Sequence, residues 1–78
     1  MHMALFGKKE IKNYIVFDPY TGEAVAACTS SEVKQILQVQ PKAKFMECSQ
    51  FEVFKYKEHG MLPDDMEARK LLDAKDVK

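Results

Sequence analysis

Only two cysteines and three glycines occur in the chain's 78 residues, and twelve acidic residues cancel twelve basic ones. Two cysteines are too few for a disulfide scaffold, and the absence of a Cys-x-x-Cys pair excludes a zinc ribbon or a thioredoxin-like redox motif. There is no glycine-rich phosphate loop, no nucleophile elbow and no metal-ligand spacing, so no enzyme signature is present and no cofactor is expected. A zero net charge argues against a nucleic-acid binder working by bulk electrostatics, because neutralising phosphates needs a basic surface. No apolar run approaches the length of a membrane span. The start, "MHMALFGKKE", has only a short apolar stretch before its lysines, unlike a secretory signal. A cytoplasmic protein with free thiols is expected.

What is present describes an ordinary globular chain, 46% hydrophobic and 31% charged. Its length suits one domain near the lower limit at which a core suffices without staples. Residues 1–10 read as a tail, in which His2-Met3 has the look of a cloning remnant, and residues 11–75 as a single small α+β domain.

The segment "IKNYIVF" (Ile11 to Phe17) is β-branched and aromatic and reads as a strand. Ile11, Ile15 and Phe17 share one face and Tyr14 and Val16 the other, so the strand should be central and covered on both sides. "DPYTG" follows as a turn, with Asp18 bonding its own backbone and Gly22 supplying a left-handed residue. "EAVAAC" (Glu23 to Cys28) is a second strand, with Ala24, Ala26 and Cys28 expected on one face. It carries no lysine or proline to guard it as an edge.

Residues 28–33 read "CTSSEV" and residues 48–53 read "CSQFEV". In each, a hydroxyl residue precedes a glutamate by three positions, the pattern of a capping box at a helix start. The first box opens a helix with Val33, Ile36 and Leu37 on one face, ended by Pro41. "KAKFMEC" (Lys42 to Cys48) reads as a third strand. Residues 50–59 are contested. Phe51, Val53, Phe54 and Tyr56 suit a strand, whereas the second box, Lys57, His59 and Gly60 punctuate a helix. The echo of the first box decides for helix. "LPDDMEARKLLDAKDVK" (Leu62 to Lys78), acidic early and basic late, reads as a third helix with a narrow stripe of Ala68, Leu71 and Leu72.

The expected fold is therefore ββαβα(α), a three-stranded sheet in order 2-1-3 with two or three helices. The helical crossover makes strand 3 parallel to strand 2 and places it beyond strand 1. Cys28 and Cys48 then lie two strand spacings apart, about 10 Å, beyond the ~7 Å that a disulfide spans. Both end a strand just before a helix N-terminus, which puts the thiols on one edge of the sheet and favours anions and thiolates. Cys28, Thr29, Cys48 and Ser49 are thus a candidate thiol or anion site, set against the commoner role of free cysteine as a small core hydrophobe.

The leading expectation is a non-catalytic protein-interaction or regulatory module, with Tyr20, Val25, Leu71 and Leu72 as candidate interface residues. A homodimer through edge strand 23–28 is a subsidiary expectation. Lys8, Lys9, Lys12, Lys55 and Lys57 are interleaved with aromatics and form a candidate nucleic-acid patch, although solvation is the commoner use of such lysines. Neither a nucleic acid nor a membrane is an expected partner.

Overall fold

A computed structural model describes residues 11–77. The expected tail, with Lys8 and Lys9, lies outside them. Strand β1 (Asn13–Phe17) is flanked by β2 (Ala24–Thr29) on one side and β3 (Lys44–Cys48) on the other, giving the order β2-β1-β3. Both neighbours run antiparallel to β1 and hence parallel to each other. A 3-10 turn (Ser30–Glu32) and helix α1 (Val33–Val39) connect β2 to β3, and α2 (Gln50–His59) follows β3. The fold is α+β with the expected strand order.

The β1–β2 turn forms as its residues dictate. Asp18 Oδ1 accepts from the Tyr20 and Thr21 amides at 2.7 and 3.3 Å. The Gly22 amide donates to Asp18 O at 2.8 Å, with Gly22 at φ +76°, a region open to glycine for lack of a Cβ.

Beyond the turn, Phe17 opposes Ala24 and Val16 opposes Ala26, which leaves Val25 as an extra residue in a β-bulge. The bulge changes which side Ala24 serves. Ala26 and Cys28 pack with Tyr14 and Val16, but Ala24 packs with Ile15 and Phe17. The single Ala24–Ala26–Cys28 face expected from strict alternation is therefore corrected: one inserted residue reverses the alternation. Ile11, expected on the Ile15–Phe17 face, precedes the strand and is exposed.

Residues Tyr14 to Phe17 are all buried, so the sheet needs cover on both faces. On one face α1 brings Val33, Ile36 and Leu37 against Tyr14, Val16, Cys28 and Phe45. On the other, α2 brings Val53 and Tyr56 against Ile15, Phe17, Met46 and Cys48. Residues 50–59 are helical despite their strand-like composition. Ser49 Oγ accepts from the Glu52 amide at 3.1 Å and Glu52 Oε1 from the Ser49 amide at 2.9 Å. At the far end Gly60 is left-handed and its amide donates to Tyr56 O. In the first box Glu32 accepts from the Thr29 amide at 2.8 Å, while the Thr29 hydroxyl also lies 2.9 Å from that of Ser31.

The third helix expected over Leu62 to Lys78 does not form. Two 3-10 turns, Met66–Ala68 and Ala74–Asp76, stand on either side of an extended Leu72. The Phe45 amide donates to Leu72 O at 2.8 Å and the Leu72 amide to Phe45 O at 2.7 Å. The physical reason lies in where the apolar side chains go. Met66 packs on the α2 face of the sheet, whereas Leu72, Ala74 and Val77 pack on the α1 face. The segment wraps around the outer edge of β3, and a straight helix cannot reach both faces. Wrapping also separates the expected pair, leaving Leu71 exposed while Leu72 is partly buried.

The two caps make unequal contributions. Ser49→Ala should lower unfolding free energy by about 1 kcal/mol. Thr29→Ala should cost less, because that hydroxyl is shared with Ser31. Urea midpoints at unchanged m values measure both, and equal losses would contradict the assignment.

Candidate functional site

The densest polar constellation among the described residues sits where β3 hands over to α2. Cys48 ends the strand, Ser49 caps the helix, and Glu52 reaches back to the cap. Arg69, the chain's one arginine, enters from the C-terminal segment. Its Nη1 and Nη2 donate to Glu52 Oε1 and Oε2 at 3.0 and 2.5 Å. Its Nε donates to Asp65 Oδ1 at 3.0 Å, and Nη1 also lies 3.4 Å from Glu47 O and 3.8 Å from Cys48 Sγ. An open cleft of about 570 Å³ is lined by Glu47, Cys48, Ser49, Glu52 and Arg69 with Lys70 and Leu72.

A planar guanidinium matches a carboxylate fork with two parallel bonds, which lysine cannot do. The electrostatics follow. Hydrogen bonds from Arg69, then from the Ser49 amide, hold the Glu52 carboxyl down at about 2. Glu52 and Asp65 in turn push Arg69 above its ordinary value. The helix N-terminus thus already holds an anion, the chain's own Glu52, and the one nearby guanidinium is matched by two carboxylates. Sequence reasoning missed Arg69 and Asp65. The available signal was a lone arginine among eleven lysines, with Asp65 four residues before it.

Both thiols fall at the same end of the sheet, as expected, but on opposite faces of it. Cys28 opposes Tyr14 and Cys48 opposes Asn13, successive residues of β1. Successive residues point to opposite faces, so Cys28 lies under α1 and Cys48 under α2. Both are buried free thiols at the same end of the sheet but on different sides of it. Burial, then the nearby Glu32 charge, pushes Cys28 up to about 11. Burial and Glu52 raise Cys48, opposed by Arg69. Thr29 and Ser49 serve the two helix caps.

The remaining candidates are dispersed. Tyr20 is exposed at the turn and Val25 at the bulge. Lys12 lies 3.7 Å from Glu47, and Lys55 lies 5.3 Å from the Phe51 ring centroid. Two positions of helix turn residues by about 200°, so Lys55 and Lys57 leave α2 on different sides.

One apolar feature stands out. Phe51 is 66% exposed and Phe54 54%, on the side of α2 turned away from Val53 and Tyr56. Phe54 meets His59 edge-on at 6.4 Å. Met61 and Leu62, just beyond the helix, are exposed as well.

Among the described residues no cluster of His, Cys, Asp and Glu is placed to hold a metal ion, and no helix is long and apolar enough to cross a membrane. No family model, curated protein or solved structure matches the chain.

Two measurements test this site. Glu52 has a folded pKa of about 2, below the unfolded value of about 4.3. Its stabilisation is therefore complete above about pH 4.3 and lost as pH falls toward 2. The stability gap between the wild type and Glu52→Gln should be constant near neutrality and close over that window. A gap that persists at pH 2 would contradict the assignment. In a separate assay, an aromatic disulfide should label Cys28 of the native protein at pH 8 roughly tenfold or more slowly than in denaturant, since thiolate is the reacting form. Fast native labelling would instead indicate activated thiols.

Proposed function

We propose that this chain is a non-catalytic protein-interaction module, working through the outer face of α2 and the turn that follows it. The supporting observation is the exposure of Phe51 and Phe54 on a helix capped at both ends, whose core side is already supplied by Val53 and Tyr56. Single exposed apolar residues need no explanation, but two phenylalanines exposed on one side of a helix, with Met61 and Leu62 exposed just past its end, present apolar area of the kind used for association. Aromatic residues anchor many interfaces because they bury large area at low conformational cost. Lys57 and His59 follow on the last turn of α2 and Lys55 lies over the Phe51 ring, while exposed Glu58 stands four residues after Phe54, so the partner that fits is a protein with an apolar patch and a rim of both charge signs.

A subsidiary reading is a homodimer through β2. Among the described residues no strand pairs with the outer edge of β2, and Val25 is exposed there. The bulge at Val25 opposes it, because a bulge twists an edge away from a flat template. The thiol or anion reading finds less support in two buried thiols on opposite faces, and the nucleic-acid reading less in lysines that diverge.

The test pairs a stability measurement with a binding one. Phe51→Ser/Phe54→Ser should change unfolding free energy by no more than about 0.5 kcal/mol per site, as surface substitutions do. The same variant should lose the partners that wild type retains from its host's lysate, while Val25→Lys keeps them. Identical retention by all three proteins would sink the proposal. For the subsidiary reading, Val25→Lys should sediment as a monomer where wild type sediments as a dimer.

A further inference from the structure

The C-terminal segment occupies the outer edge of β3 in the manner of a bound peptide. Leu72 makes a single antiparallel bridge with Phe45, through two hydrogen bonds of 2.7 and 2.8 Å. On its N-terminal side Arg69 is clamped by Glu52 and Asp65, and on its C-terminal side Asp73 pairs with Lys44. These polar anchors are partly solvent-exposed. By contrast β1 and β3 pair over five residues. The segment is irregular, joined to α2 through left-handed Gly60 and Pro63, and its core contacts are Met66 on one face of the sheet and Leu72, Ala74 and Val77 on the other.

From this geometry we infer that residues 64–77 are a releasable strap covering a strand-docking groove, and that the groove's ligand in trans is an extended peptide carrying the strap's own recognition pattern. That pattern is an arginine three residues before a leucine, followed directly by an acidic residue. Each part has its receptor in the folded domain. The Glu52 carboxylate takes the guanidinium, Phe45 offers an outward amide and carbonyl for the strand bond, and the Lys44 ammonium takes the acid. Strand addition of this kind takes affinity from main-chain bonds and selectivity from alternate side chains. The cis strap competes at the effective concentration set by its short tether, so wild type is self-blocked. This surface is separate from the outer face of α2, and either reading can fail alone.

The probe is a synthetic peptide of residues 66–77, added to full-length protein. Leu72→Gln weakens the cis strap and leaves the Glu52, Phe45 and Lys44 receptors in place. It should bind the labelled peptide at least tenfold more tightly than wild type does, with amide shifts centred on Lys44 and Phe45. A peptide with the leucine at position 72 replaced by glutamine should not bind. Should Leu72→Gln fail to fold, Asp73→Asn serves as the weakened strap, again with the unaltered peptide. Native-state hydrogen exchange supplies the second reading. The Phe45 and Leu72 amides of wild type should exchange through an opening that leaves the β1 amides protected, and that opening should become more frequent as salt rises. A folded, strap-weakened variant that ignores the peptide would overturn the inference. So would Phe45 and Leu72 amides that are as protected as those of β1.

Discussion

Tyr14, Ile15, Val16 and Phe17 are buried in succession, and a strand with no solvent face dictates the rest of this small protein. Successive side chains point in opposite directions, so a core must exist on both sides of a sheet only three strands wide. Each side receives one helix. The C-terminal segment adds Leu72, Ala74 and Val77 to one core and Met66 to the other by passing around the edge of β3. The thinness of the sheet explains why a chain of this length contains two small clusters instead of one large one.

The repeated Cys-hydroxyl-x-x-Glu-Val pattern follows from the same requirement. Twice the chain leaves a strand flanking β1 and must start a helix at once, and twice a hydroxyl residue and a glutamate satisfy the first amides of the turn. The cysteine before each is the last inward residue of its strand. Because the two strands meet successive residues of β1, identical local solutions deliver their thiols to opposite faces. Similar sequence here means a similar local task, not a shared site.

Elements whose signals are local were legible in the sequence. The Asp18–Gly22 turn, the Ser49–Glu52 box and the Gly60 stop each depend on a few adjacent residues, and the contest over residues 50–59 was decided by such punctuation over composition. The central position of β1 was readable from apolar residues on both faces. What was not readable depends on distant partners. The bulge at Val25 is set by pairing with Val16 and Phe17. The helix-like charge pattern of Leu62 to Lys78 yields to the bridge between Leu72 and Phe45 and to the clamp of Arg69 on Glu52. Asp65 and Arg69 stand four apart, as in a helix, and do form an ion pair. The segment nevertheless follows the sheet edge, because burial on two faces outweighs a weak propensity.

The strap has a consequence for how the molecules could stack. A sheet with two open edges can add copies at both ends and grow without limit into a filament, whereas a sheet with one can only pair off about a two-fold axis and stop. Bridging Leu72 to Phe45 closes the β3 side, so among the described residues only β2 remains open, bent there by its bulge. The C-terminal segment therefore does more than fill two small cores. While it stays bridged to Phe45, pairing through the β2 edge alone would stop at a closed pair.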